Sequence, residues 1–199
     1  MQPEDLEAKL NIYEALLKKW QAKINLVSSQ TLGQARLRHF EDSLQLLDYI
    51  GADLTVYDLG SGGGFPGLVM AMAKPDLSIT LIESDQRKCA FLRTVSRETS
   101  TEVDIVNQRI EDVTLPAPDV VTARALASVQ NLLFMTKEWT EQSKLECYFL
   151  KGANFKEEVS EARDTFDFSC NAIESKTNSD AAILQINSIC LKKAHVNNE

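Results

Sequence analysis

Apolar residues recur every three or four positions along the first part of the chain, which is the spacing of one helix face. Between Glu4 and about Ser28 this stripe consists of Leu6, Leu10, Tyr13, Leu17, Trp20 and Ile24. A second stripe precedes Gly51, a plausible helix stop, and consists of Phe40, Leu44, Leu47 and Ile50. Because both stripes come before any strand-like segment, they predict an N-terminal helical extension, residues 1–52, packed on the rest of the chain.

From Leu54 onward, strand-like runs alternate with helical stretches. The strand-like runs are 54–60, 77–84, 103–108, 118–124 and 145–152, and the helical stretches are 68–74, 85–100, 128–140 and 154–166. The segments SCNAIES and AAILQIN then flank TNSD, which predicts a closing hairpin. This alternation predicts an α/β domain over residues 53–199, with a mainly parallel seven-stranded sheet flanked by helices on both faces. The hairpin is expected to add antiparallel strands at one edge.

The glycine-rich stretch YDLGSGGGFPG, residues 57–67, occupies the first strand-to-helix connection. In sheets of this kind the ligand lies at the carboxyl ends of the strands, and the first turn is the usual floor of the site. Glu83 ends the second strand, 21 residues after Gly62. A carboxylate there can accept hydrogen bonds from the hydroxyl groups of a ribose, so this order of elements predicts a site for a nucleoside-containing cofactor.

Two cofactors remain possible from the residues alone. Gly62, Gly64 and Gly67 match the dinucleotide fingerprint G-x-G-x-x-G, which keeps an NAD(P)-dependent oxidoreductase as an alternative. Three observations count against it. The strand is expected to end at Leu59, so the turn begins at Gly60 and the matching glycine triplet starts two residues after the turn begins. In addition, no Tyr-x-x-x-Lys pair follows for proton transfer. The charge of Asp58 just before the turn disfavours a pyrophosphate but suits the sulfonium of S-adenosylmethionine.

Composition excludes several classes of protein. The 199 residues are 44% hydrophobic and 25% charged, which is typical of a globular protein with a proper core. No apolar run is long enough to cross a bilayer, and MQPEDLEAKL lacks the pattern of a secretory leader, so a cytoplasmic location is expected. The four cysteines have no metal-ligand or redox spacing, and the two histidines are His39 and His195, so no metal is expected.

Seven segments in fixed order carry a family resemblance: KWQAKINLVS, RHFEDSLQLL, YDLGSGGGFPG, RKCAFLRTV, QRIEDV, TARALASV and YFLKG. The glycine-rich segment resembles the first motif of class I S-adenosylmethionine-dependent methyltransferases. Together, over roughly residues 10–155, the segments resemble the RsmG family, also called glucose-inhibited division protein B. The resemblance implies a Rossmann-like class I fold and methyl transfer from S-adenosylmethionine to N7 of a guanine in small-subunit (16S) ribosomal RNA.

The same resemblance implies roles for particular residues. The expected cofactor-binding set is Asp58, Gly60, Gly62, Gly64, Phe65, Glu83, Ile110, Glu111 and Arg124. Glu83 would hold the ribose, where the family more often has aspartate, and Ile110 and Glu111 would lie by the adenine. Arg124 would lie near the cofactor. The alternative for Arg124 is a structural ion pair with Asp58 or Glu83, and the two roles are compatible.

The chemistry needs few catalytic groups, because guanine N7 carries an exposed lone pair and needs no general base. No residue is a certain catalyst, and Arg124 and Lys151 are candidates for positioning. Candidate RNA contacts are Arg36, Arg38, His39 and Lys151, although a lone histidine in a helix beside Phe40 is more often a capped or core residue. The expected partner is small-subunit ribosomal RNA or the assembling small subunit, although the net charge of −8 argues weakly against a large nucleic-acid surface. A non-catalytic ribosome-assembly binding protein remains a further alternative.

Overall fold

Short and long helical segments make up most of the chain between Pro3 and Asp48. The computed structural model describes residues 3–140 and 144–192. It begins with α1 (Pro3–Gln21) and α2 (Ser29–Leu32), followed by a π-helical segment (Arg36–Glu41), α3 (Asp42–Leu44) and a 3₁₀ turn (Gln45–Asp48).

The first helix ends at Gln21, earlier than the apolar stripe predicts. The side-chain carbonyl of Gln21 accepts hydrogen bonds from the backbone N–H groups of Leu26 (2.9 Å) and Val27 (3.1 Å). Its amide donates to the Val27 carbonyl at 2.8 Å. These bonds turn the chain back on the helix end, while Ile24 still packs against the core.

The predicted sheet is confirmed. Its strands are β1 (Thr55–Leu59), β2 (Ser78–Ile82), β3 (Asp104–Val106), β4 (Val120–Arg124), β5 (Glu146–Lys151), β6 (Phe166–Glu174) and β7 (Ala182–Leu191). They lie in the order β3-β2-β1-β4-β5-β7-β6. The first five are parallel, and β7 is antiparallel to both β5 and β6, as the predicted hairpin requires.

Helices cover both faces of the sheet. They are α4 (Gly67–Ala73), α5 (Gln86–Glu98), α6 (Val129–Thr140) and α7 (Phe155–Thr165). The prediction placed Phe166 in the last helix and began the next strand at Ser169. Instead β6 begins at Phe166, because Phe166 and Phe168 both enter the core while Asp167 faces outward, which is the alternation of a strand.

The N-terminal helices share a hydrophobic core with one side of the sheet. Leu10, Tyr13 and Leu17 of α1 belong to the same buried cluster as Leu68 of α4 and Phe91 of α5. The division of the chain between residues 52 and 53 stays a prediction. In the described ranges, no helix has the length and apolar character needed to cross a membrane.

Candidate functional site

The loops at the carboxyl edge of the parallel strands enclose a cavity of about 660 Å³. Its walls are the glycine-rich loop after β1, the ends of β4 and β5, the segment between α1 and the 3₁₀ turn, and the β6–β7 turn. The predicted site residues that line it are Arg38, His39, Gly60, Gly62, Phe65, Arg124 and Lys151. The cavity lies beside the switch point of the sheet between β1 and β4, where ligands bind in open α/β folds.

Three glycines of the loop, Gly60, Gly62 and Gly63, line this cavity, and two of them require a left-handed backbone. Gly60 and Gly62 have φ of +61° and +55°, values that other residues rarely adopt. A Cβ at Gly62 would meet only the Gly60 carbonyl oxygen, at 3.6 Å, whereas one at Gly60 would overlap the side chain of Leu126. The backbone is therefore open to close approach by a ligand at Gly62, whereas Leu126 covers it at Gly60.

Two other glycines are required by packing inside the protein. Gly64 has φ of +89°, and a Cβ there would overlap the hydroxyl of Tyr13. A Cβ at Gly67 would lie 2.6 Å from Leu81 Cδ2 and 2.8 Å from Asp58 Cβ. Neither glycine lines the cavity. The literal G-x-G-x-x-G match thus includes two positions that internal packing explains.

The Asp58 carboxylate stabilises the end of the glycine-rich loop from the interior of the protein. Its side chain is fully buried; Oδ2 accepts a hydrogen bond from the Gly67 N–H at 3.2 Å, and Oδ1 accepts one from the Thr122 hydroxyl at 3.0 Å. Burial raises the pKa of Asp58 to about 6. The expectation that its charge faces a cationic ligand is therefore not met, because the carboxylate does not line the cavity.

Glu83 joins the end of β2 to the glycine-rich loop. Its carboxylate accepts hydrogen bonds from the backbone N–H groups of Gly62 (Oε2, 2.9 Å) and Asp85 (Oε1, 2.8 Å). The structure thus brings together the acid and the glycine that sequence spacing paired. Glu83, Ile110 and Glu111 all lie outside the 660 Å³ cavity.

Ile110 and Glu111 belong to a short 3₁₀ turn after β3 (Ile110–Asp112). Ile110 is half-buried against the core, and Glu111 is exposed. The loop before this turn is tied to the end of β2, since the Asn107 side-chain amide donates to the carbonyls of Glu83 and Ser84, both at 3.0 Å.

Arg124, at the end of β4, is held by the N-terminal helices. Its Nη1 donates to the Arg38 carbonyl at 3.0 Å and lies 3.5 Å from Oδ2 of Asp42. Its guanidinium carbon lies 5.0 Å from the centre of the Phe65 ring. The predicted ion pair with Asp58 or Glu83 is wrong, because the acid that pairs with Arg124 is Asp42. Asp42 was missed, although it stands within the RHFEDS segment.

Phe65 lies within a stack of rings that connects the loop to the N-terminal helices. The Tyr13 ring is stacked on it with a centroid distance of 5.3 Å, and the His39 ring with one of 5.0 Å. The Tyr13 hydroxyl donates a hydrogen bond to the Gly63 carbonyl. Tyr13 is a core residue, as its position in the stripe predicts, and it also contacts the loop backbone.

His39 is buried and neutral. It is 6% exposed, and its Nε2 lies 2.9 Å from Oγ1 of Thr31. Burial, reinforced by the charges of Arg124 and Arg38, lowers the pKa of His39 to about 3.

The predicted basic contacts have different surroundings. Arg36 lies in a network with Glu7, Glu14 and Asn11, at distances of 2.6–3.2 Å. The guanidinium of Arg38, by contrast, lines the cavity and has no hydrogen bond or ion pair within 3–140 and 144–192. Arg36 is thus engaged within the protein, whereas Arg38 is available to a ligand.

The Lys151 ammonium is also engaged. It donates to the Ala127 carbonyl at 2.7 Å and pairs with Glu158 at 2.6 Å. The same Glu158 oxygen accepts from the Val129 N–H at 3.0 Å. An ammonium has three N–H donors, so one donor of Lys151 remains for a ligand.

The β6–β7 turn closes the cavity on the side of the N-terminal helices. The Thr177 hydroxyl donates to Asp42 Oδ1 at 2.7 Å, and the Lys176 N–H donates to the Gln45 side chain at 3.0 Å. Sequence reasoning predicted the hairpin but gave its turn no place in the site.

Among the residues that the structure describes, no group of His, Cys, Asp and Glu is arranged to hold a metal ion. His195 lies outside the described residues.

A family model described as rRNA small subunit methyltransferase G matches residues 6–185. A ribosomal RNA small subunit methyltransferase G from Gluconobacter oxydans is 44% identical, covering 89% of this chain and 91% of the relative. The protein of that name from Ruegeria sp. is 42% identical, covering 94% of this chain and 92% of the relative.

Solved structures of methyltransferases share the fold. An S-adenosylmethionine-dependent methyltransferase from Aquifex aeolicus has a TM-score of 0.58 at 13% identity, covering 77% of this chain and 92% of that one. Magnesium protoporphyrin IX methyltransferase from Synechocystis, solved with bound S-adenosylmethionine, has a TM-score of 0.58 at 10% identity, covering 94% and 98% of the chains.

Proposed function

The chain belongs to the family of rRNA small subunit methyltransferase G, and we propose that it transfers a methyl group from S-adenosylmethionine to N7 of a guanine in 16S ribosomal RNA. The observation that carries the proposal, beside family membership, is the bond between the Gly62 N–H and the Glu83 carboxylate at the carboxyl edge of the sheet. The comparisons lend no support to an NAD(P)-dependent oxidoreductase or to a non-catalytic assembly protein.

The residues of the site fit S-adenosylmethionine. Each Glu83 oxygen accepts one backbone hydrogen bond and keeps a lone pair for a ribose hydroxyl. Gly62 permits close approach to the loop, and the adjacent cavity is of the size of small-molecule sites, about 300–1,000 Å³. We assign Ile110 and Glu111 to the adenine side of the cofactor.

The other residues of the predicted cofactor-binding set surround Glu83 and the glycine-rich loop. Phe65 and Arg124 line the cavity, while Asp58 and Gly64 support the loop from behind. When bound, the cofactor supplies an electrophilic methyl group on a sulfonium. The work left to the chain is positioning of the guanine and exclusion of water, because N7 attacks through a lone pair that needs no deprotonation. Arg124, fixed by Asp42, is the best-supported positioning residue.

RNA contact in this proposal rests on Arg38, with the third donor of Lys151 as a further contact. A chain with a net charge of −8 offers few phosphate contacts. We therefore infer that the substrate is the RNA within an assembling small subunit, which supplies shape as well as phosphates, and that the reaction takes place in the cytoplasm without a metal.

The matched pair of Arg38→Ala and Arg36→Ala tests this RNA contact. Arg38→Ala should raise the KM for small subunits severalfold at an unchanged melting temperature. Arg36→Ala removes one of the two cationic partners of Glu14, the other being Lys18, and should mainly lower the melting temperature. Equal KM values for the two variants would contradict the assignment.

The function itself is tested by methyl transfer from labelled S-adenosylmethionine to small subunits from a strain that lacks this protein. The RNA is then digested and its nucleosides are identified by mass spectrometry. A new 7-methylguanosine is expected. Transfer to another atom, or no transfer by a protein that binds S-adenosylhomocysteine, would overturn the proposal.

A further inference from the structure

The cavity wall contains a buried nitrogen atom that no protein group satisfies. Over residues 3–140 and 144–192, Nδ1 of His39 is the one buried side-chain nitrogen or oxygen without a hydrogen-bond partner. His39 is 6% exposed and lines the cavity. Leaving a buried polar atom unpaired costs about 1–3 kcal/mol, so such atoms in a cavity wall point to a ligand that pairs with them.

The surrounding hydrogen bonds decide what this atom offers. The single proton of the Thr31 hydroxyl is donated to the Ser28 carbonyl at 3.0 Å. With its proton used in that bond, the Thr31 oxygen accepts from Nε2 of His39, at 2.9 Å, and we assign the ring proton to Nε2 on this ground. Because the ring is neutral, Nδ1 is left as a bare acceptor.

The position of the ring restricts which donor can pair with Nδ1. The stacking of His39 on Phe65, 5.0 Å between centroids, holds the acceptor beside the glycine-rich loop. The charges of Arg124 and Arg38 lie close enough to His39 to lower its pKa. Asp42 offsets the charge of Arg124, but Arg38 has no acid partner among the described residues, and its charge repels a positively charged donor such as an ammonium group, so a neutral N–H donor is favoured.

We propose that His39 Nδ1 accepts a hydrogen bond from the Watson–Crick edge of the target guanine and thereby selects guanine. This inference rests on the proposed function and adds a base-reading residue to it. Guanine presents the N1–H and 2-amino donors on this edge, and N7 lies on the opposite side of the base, free for the methyl group. The donor on the Watson–Crick edge of adenine is its 6-amino group, which occupies the place of the guanine O6 acceptor. In the pose that brings guanine N1–H or its 2-amino group to Nδ1, adenine presents the N1 acceptor and C2–H instead and leaves Nδ1 unpaired. Since Nδ1 is covered in the ligand-free cavity, entry of the base must displace the groups over it.

The test compares two reconstituted small subunits, with guanine or adenine at the methylated position, which is located by mass spectrometry of nuclease fragments of the RNA. The Kd of each particle is measured for the enzyme bound to S-adenosylhomocysteine, so that no methyl transfer takes place. The wild-type enzyme should bind the guanine particle at least fivefold more tightly. His39→Phe keeps a ring against Phe65 but removes the acceptor, and should bind both particles equally within twofold. His39→Asn offers an acceptor oxygen near the Nδ1 position and should restore part of the preference.

The affinity for S-adenosylhomocysteine, measured by calorimetry, separates the alternatives. It should be unchanged in both variants. An unchanged guanine preference in His39→Phe would overturn the inference, as would weaker S-adenosylhomocysteine binding with the preference intact, since Nδ1 would then serve the cofactor. If His39→Phe fails to fold, Thr31→Val serves instead. It removes the oxygen that holds the ring proton on Nε2, so the proton can move to Nδ1, and the preference for the guanine particle must fall. A wild-type enzyme that transfers no methyl group would instead contradict the proposed function.

Discussion

Replacing Tyr13 by Phe removes one hydroxyl and tests whether α1 sets the geometry of the cofactor loop. The hydroxyl is fully buried and donates to the Gly63 carbonyl, while the ring stacks on Phe65. The phenyl ring keeps that stacking, so the change isolates the hydrogen bond. Leaving the carbonyl unpaired should lower the free energy of unfolding by about 1–3 kcal/mol. In a chain of this size each kcal/mol lowers the melting temperature by about 2–4 °C.

The same change should weaken cofactor binding. Gly63 directly follows Gly62, whose N–H is bonded to Glu83. Releasing the Gly63 carbonyl should therefore make the Gly62–Glu83 contact less ordered. If ordering the loop on binding costs about 1 kcal/mol more, the Kd for S-adenosylhomocysteine should rise roughly fivefold, measured by calorimetry.

Tyr148→Phe is the matched control. Its hydroxyl is also bonded to a backbone carbonyl, that of Tyr49 at 3.1 Å, and to Glu146 at 2.7 Å, but it does not line the cavity. This variant should lose stability and keep the wild-type Kd. The reasoning is refuted if Tyr13→Phe also keeps the wild-type Kd, or if both variants weaken binding equally.

Three further predictions concern the loop and its supports. Glu83→Gln replaces one acceptor oxygen of the carboxylate by an NH2 donor and should raise the Kd for S-adenosylhomocysteine at least tenfold; an unchanged Kd would exclude contact with the ribose. Gly67→Ala brings a Cβ within 2.8 Å of Asp58 and should destabilise the fold by about 1–3 kcal/mol in denaturant titrations, whereas Gly152→Ala, with no atom within 4 Å, should be neutral. Because the folded-state pKa of Asp58, about 6, lies above its ordinary value, the folded protein holds this proton more tightly than the unfolded chain does. Raising the pH from 4 to 6 should thus cost roughly 2 kcal/mol through Asp58, and Asp58→Asn should remove this part of the slope in denaturant titrations at each pH; an identical slope would contradict the burial of its charge.

The sequence alone determined the order of helices and strands and the place of the glycine-rich loop. Periodicity of apolar residues reports which face of an element is buried, so β1, β2 and the antiparallel hairpin followed from local patterns. The pairing of Gly62 with Glu83 was also readable, because consecutive parallel strands of a βαβ unit bring their carboxyl ends together.

Only the tertiary structure decided which side chains pair at the site. Arg124 pairs with Asp42, and Asp42 with Thr177, and both pairs join residues that are more than 80 positions apart along the chain. The contact of Tyr13 with the loop spans 50 positions, and its residue pattern is indistinguishable from ordinary core packing. Such partners are set by how the N-terminal helices, β4 and the β6–β7 turn pack around one cavity, and residue spacing carries no signal for contacts between elements that are distant along the chain.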